Sequence, residues 1–117
     1  MHNFKELKIW QKGRQFVKDI YILTRTFPNE ELFVLTSQMR RAAISISSNI
    51  AEGSGRGTDK DFTRFLDIAT GSAYELESQL YIAFDLEYCS EESLHDNLQK
   101  VEEIQKMLFN FKKHISE

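Results

Sequence analysis

The sequence predicts an all-α protein, an antiparallel up-down-up-down four-helix bundle occupying one domain over residues 1–117. Three observations predict it. Apolar residues recur at intervals of three and four along most of the chain, and strand-like alternation is nowhere sustained. A single proline, Pro28, interrupts 117 residues, so long helices are permitted almost everywhere else. The interruptions that do occur are short, which favours antiparallel neighbours.

The first helix is expected from about Phe4 to Phe27, with Ile9, Trp10, Phe16, Val17, Ile20, Leu23 and Phe27 on its apolar face. Lys5, Lys8, Lys12, Arg14 and Lys18 make the rest of it basic. Gly13 costs a helix roughly 1 kcal/mol relative to alanine, so its presence suggests close helix approach. Phe27-Pro28-Asn29 is the strongest turn signal, because the residue before proline avoids the α region and Asn29 can cap the next helical segment. A short helical turn over 30–34 precedes the second helix, for which Thr36 and Ser37 offer a further cap.

The second helix sets Met39, Ala43, Ile46 and Ile50 against a polar face of Arg41, Ser45, Ser48, Asn49 and Glu52. Gly53, Gly55 and Gly57 are expected to supply positive φ at its end, and Thr58 with Asp61 three residues on reads as the cap of the third helix. That helix, about 58–87, carries Phe62, Leu66, Ala69, Ala73, Leu76, Leu80 and Ala83 in a heptad seam. Tyr88, Cys89 and Ser90 form a short connection with Ser90 as cap, and Glu91 and Glu92 favour the positive helix end. Leu94, Val101, Ile104, Leu108, Phe111 and Ile115 make the last stripe.

Composition narrows the functional classes. Net charge is −3, yet residues 1–57 hold nine Lys/Arg against five Asp/Glu, and residues 58–117 hold six against thirteen. Opposite signs in the two halves suit either complementary surfaces or a basic patch for nucleic acid. A sequence pI near 5.6 speaks against indiscriminate nucleic-acid binding. The lone Cys89 has no disulfide partner, no signal-peptide run opens the chain, and no stretch is apolar enough to span a membrane. A soluble, cytoplasmic protein is expected.

Each motif with chemical possibilities has a simpler reading. The turn GSGRGTDKD resembles a phosphate loop only in its glycines, since no strand precedes it and Asp59 and Asp61 repel an anion. Glu92 and His95 give one Glu-x-x-His spacing where a di-metal bundle needs two, so neither metal nor other cofactor is expected. Cys89 lies in a loop without a base or oxyanion donor, and no enzymatic activity is expected.

Two sets remain as interaction sites. Arg40, Arg41, Ser45, Asn49 and Glu52, with Tyr74 and Tyr81 on the third helix, are expected in an oligomer interface or a polar network between helices. Tyr88 continues the seven-residue spacing of those tyrosines. Alternatively, Lys5, Lys8, Lys12, Arg14, Lys18 and Arg56 could meet a nucleic-acid backbone.

FKELKIWQKG, FPNEELFVLTSQMRRAAISISSNIAEGSGRG and DFTRFLDIATGSAYELESQL together resemble the small bacterial four-helix-bundle proteins encoded within intervening sequences of 23S ribosomal RNA genes. The resemblance centres on Gln38, Arg40, Arg41, Ala42, Ser45 and Ile46, the run from Asn49 to Gly53, and Gly71, Ser72 and Glu75. The bundle is also similar to that of the accessory variability determinant proteins of diversity-generating retroelements. Resemblance to the first group implies a homopentameric ring of bundles without known enzymatic activity, and the expected role is that of a scaffold or adaptor for an unidentified protein partner. Resemblance to the second implies binding to nucleic acid and to a reverse transcriptase.

Overall fold

The computed structural model describes residues 2–116. Its four helices are α1 (Lys8–Thr24), α2 (Leu35–Ser54), α3 (Asp59–Asp85) and α4 (Glu91–Ser116), with short 3-10 turns at Phe4–Glu6 and Asn29–Glu31. Each helix packs against its two neighbours in a square, and the diagonal pairs α1/α3 and α2/α4 have no Cα atoms within 8 Å of each other. The up-down-up-down bundle is elongated, 43 × 24 × 20 Å.

The seams lie where apolar spacing places them. Phe62, Leu66, Ala69, Ala73, Leu76, Leu80 and Ala83 on α3 are all buried, facing Met39, Ala43, Ile46 and Ile50 of α2. Ile9, Phe16 and Ile20 of α1 and Leu94, Val101, Ile104 and Leu108 of α4 complete one continuous core. Thr58 Oγ1 accepts from Asp61 N at 3.1 Å and Ser90 Oγ from Ser93 N at 3.1 Å, so both expected caps form.

Several boundaries differ from expectation. The first helix is three residues shorter at its C-terminus, and at its N-terminus Leu7 is extended (φ −78°, ψ 125°), separating α1 from the Phe4–Glu6 turn. Asn3 caps that turn by accepting from Lys5 N at 3.2 Å, and Phe4 folds back onto Trp10 with ring centroids 4.9 Å apart. At the other end Phe27 leaves the helix to bury itself against Tyr88. Neither Asn29 nor Thr36 acts as the expected cap. Pro28 precedes the short turn, Val34 precedes α2 without a side-chain bond, and Thr36 is buried inside the helix.

The glycines also act differently. None has positive φ; the one described residue in the left-handed region is Glu87, at φ 64°. Helix α2 runs through Gly53, where a Cβ would stand 2.7 Å from Phe62 Cδ1 and 2.8 Å from Phe65 Cβ. Both glycines are buried where helices meet, but only Gly53 is too crowded for a side chain; a Cβ on Gly13 would make ordinary contacts of 3.6–3.7 Å with Ile46 and Ser47 of α2.

Candidate functional site

Helix α2 distributes its polar residues over three neighbourhoods because successive residues turn by about 100°. Arg40 points toward α1, where its Nε donates to Thr24 Oγ1 at 2.9 Å and its guanidinium lies 4.4 Å from the Tyr21 ring centroid. Arg41, one residue on, is exposed and makes no ion pair among the described residues. Ser45 faces α3, with its hydroxyl 2.8 Å from that of Ser72, and Asn49 Nδ2 donates to both the Ser45 carbonyl and hydroxyl.

At the end of α2, Arg56 pairs with Glu52 at 3.0 Å, approaches Asp61 at 3.9 Å and stacks 4.6 Å over Phe65. Arg64 takes an equivalent 4.6 Å position on the same ring. The glycine-rich turn is thus a helix connection whose arginine is already occupied by carboxylates and an aromatic face.

The basic residues of the N-terminal segment are likewise divided. Lys12 pairs with Glu103 on α4 at 2.9 Å, and Arg14 leans over Trp10 at 5.6 Å. Lys5, Lys8 and Lys18 are exposed without an ion pair among the described residues. Lys12–Glu103 and the longer Arg56–Asp61 contact set cations of the basic half against carboxylates of the acidic half, whereas Asp19–Lys100 joins α1 to α4 with the opposite polarity and Lys112–Asp67 joins α4 to α3 within the acidic half.

The three tyrosines separate by environment. Tyr74 and Tyr81 are exposed on α3. Tyr74 lines a shallow groove between α3 and α4 with Phe109, Glu77, Gln105 and Lys106, floored by a 2.7 Å bond from Gln105 Nε2 to Glu77. Tyr88 instead is partly buried and donates its hydroxyl to Glu31 Oε2 at 2.7 Å, clamping the α1–α2 and α3–α4 connections together. That bond, then burial, pushes its phenol above the usual tyrosine range.

Two exposed aromatics lie outside the expected site residues. Phe109, 68% exposed, sits off the α4 stripe by one position, and Phe33, 89% exposed, stands in the apolar run Leu32-Phe33-Val34 before α2. Their only signal in the sequence is an aromatic in register with no buried stripe.

Chemistry-bearing groups do not converge. Among the described residues no cluster of three His, Cys, Asp or Glu side chains could hold a metal ion. His95 approaches Glu91, not Glu92, at 3.5 Å on the surface. Burial pushes the Cys89 thiol up, which lowers its thiolate fraction and its nucleophilicity. No helix among the described residues is long and apolar enough to cross a membrane.

The shape and sequence have known counterparts. Residues 5–110 match the family described as 23S rRNA-intervening sequence protein. The chain belongs to that family. A crystal structure at 1.70 Å resolution of a protein of unknown function from the S23 ribosomal protein family, from Bacteroides thetaiotaomicron VPI-5482, is 30% identical. The match covers 90% of this chain and 95% of that one, with a TM-score of 0.83. No curated protein shows significant similarity to the chain. The family match spans α1, α2, α3 and most of α4, so the polar set of α2 and the exposed tyrosines all fall inside the shared domain.

Proposed function

We propose that this member of the 23S rRNA-intervening sequence protein family is a non-enzymatic homo-oligomer, a pentameric ring, that serves as a scaffold or adaptor for protein partners. The observation that carries the reading is the apolar surface the bundle leaves outside its core. Ile44 on α2, Ile68, Tyr74 and Tyr81 on α3, and Phe109 on α4 are all between 41% and 68% exposed along the flanks. Gly71, between Ile68 and Tyr74, leaves open space above the α3 backbone. A cyclic assembly joins two different patches of each protomer, which suits a chain with distinct faces.

Light scattering on the eluting full-length protein tests the reading: a ring requires a mass near five times the 13.7 kDa protomer, and a monomer overturns it. Charge complementarity between neighbours is tested separately at Arg41, because Arg40 is engaged with Thr24 and Tyr21. Arg41→Glu is expected to lower the mass while leaving the helical content of the protomer unchanged. A full-size particle would remove the electrostatic part of the proposal.

The alternative, a nucleic-acid-binding accessory protein, draws on Lys5, Lys8, Arg14 and Lys18. Engagement of Lys12 and Arg56 with carboxylates weakens it. It requires RNA or DNA affinity that falls steeply with salt, roughly one counterion per phosphate contact.

A further inference from the structure

The two ends of the bundle are finished differently. Where α2 passes into α3, His2 N donates to the Ser54 carbonyl at 2.9 Å, and its ring lies against Phe62 and Phe111 at 5.2 and 6.0 Å. Phe62 and Phe111 meet edge to face at 5.4 Å, so packed aromatics close that end of the core.

At the opposite end, formed by the α1–α2 and α3–α4 connections, apolar side chains face solvent. Among the described residues eleven large apolar side chains are exposed, and six of them, Ile22, Leu32, Phe33, Val34, Ile82 and Leu86, lie in the segments that form this end. Phe33 is 89% exposed, almost the whole ring. Its support is rigid: Leu32 N and Val34 N bond back to Asn29 and Glu31, and Glu31 is fixed by Tyr88 at 2.7 Å. An apolar concentration of this kind on a held surface marks an interaction site.

Charge identifies the occupant. Residues 19–39 and 80–99 contain a single Lys or Arg, Arg25. Arg40 and Lys100, which flank these segments, are already engaged with Thr24 and Tyr21 and with Asp19 and Asp96, whereas Glu30, Asp85, Glu87 and Glu92 of the same segments make no ion pair among the described residues. Such free carboxylates repel nucleic acid and anionic lipid surfaces and attract a cationic partner.

We propose that this end of the bundle docks a basic amphipathic helix of a protein partner, with Phe33 seated among its apolar side chains and the free carboxylates facing its lysines and arginines. The inference rests on the adaptor reading but does not require the ring.

The test uses the full-length protein and a labelled, roughly 18-residue helical peptide with leucine at i, i+3, i+4 and i+7 and lysine elsewhere. Fluorescence anisotropy is expected to show saturable binding, weakened about tenfold or more by Phe33→Ser and by Leu86→Ser, as for an interface anchor. A peptide with glutamate in place of lysine is expected not to bind. Both variants should melt with the wild type, since neither side chain lies in the core. Equal binding by Phe33→Ser, equal binding of the glutamate peptide, or flotation with phosphatidylglycerol vesicles would overturn the proposal. A change of particle mass in Phe33→Ser would also overturn it, by making this end a contact between copies. A wild-type monomer that binds the peptide through Phe33 removes the ring alone, and a pentamer that ignores the peptide removes the docking end alone.

Discussion

The α2–α3 seam and the α1–α4 seam hold the same bundle by different means. Between α2 and α3 small residues let the helices close around the larger core side chains. Ala42, Ala43, Ala69 and Ala73 are buried, Gly53 admits Phe62 and Phe65, and the hydroxyls of Ser45 and Ser72 touch at 2.8 Å. Between α1 and α4 the visible cross-links are ion pairs, Lys12–Glu103 and Lys100–Asp19. Close-packed seams are intolerant of added volume, whereas partly exposed ion pairs contribute little and are screened by salt. The two seams should therefore respond oppositely to the same kinds of change.

The largest effect is expected at Gly53. An added methyl would stand 2.8 Å from Phe65 Cβ, an atom held by its own backbone, so the helices must separate for it to fit. Overpacking of this kind costs about 1–3 kcal/mol, more than the roughly 1 kcal/mol alanine returns in helix propensity. Gly53→Ala should be clearly destabilised in urea unfolding. A variant as stable as the parent would mean that the α2–α3 seam is looser than its geometry.

The contrast between Gly53 and Gly13 explains what was legible in the sequence. The heptad seam of α3 could be read directly because its residues are the pattern itself, and the Thr58 and Ser90 caps because their partners lie three residues away. The glycines could not, since crowding at Gly53 comes from residues on another helix, nine and twelve positions later. The end of α1 falls short of its expected place because Leu7 and Phe27 are apolar residues in register that serve a turn and an end-cap instead. Within the candidate site, Arg40 and Arg41 read as a pair, yet one helical step sends them to different neighbours. Phe33 and Phe109 escape a periodicity argument because periodicity detects what is buried and says nothing specific about apolar residues left over.

Gly13 gives the second test, with opposite sign. Its surroundings accept a methyl at 3.6–3.7 Å from Ser47 and Ile46, an ordinary contact. Gly13→Ala should therefore stabilise the protein by about 0.5–1 kcal/mol through the unfolded chain and helix propensity. A loss of stability there would show that α1 and α2 approach more closely than these contacts imply.

The smallest effect belongs to the ion pairs, and pH separates it from packing. Burial alone lowers the Lys100 pKa, but hydrogen bonds and charge from Asp96 and Asp19 outweigh it and leave the ammonium raised. A group whose folded pKa is raised stabilises fully below its unfolded value, near 10.4 for lysine, and loses that contribution as pH climbs through the folded value. Tyr88 has the same sign, because its ionisation would convert a donor to Glu31 into an anion beside it. Both losses fall in the alkaline range, so the two must be removed one at a time. Lys100→Met should lower stability at neutral pH by no more than about 1 kcal/mol, since Lys100 is 40% exposed and solvent screens the pair. Above the lysine range its stability should converge on the parent's while both continue to lose the Tyr88 contribution. Tyr88→Phe in the same background should flatten what remains. Parallel curves for parent and Lys100→Met throughout the alkaline range would show that the Lys100 ion pairs add nothing that titrates to the α1–α4 seam, leaving its apolar residues to hold it.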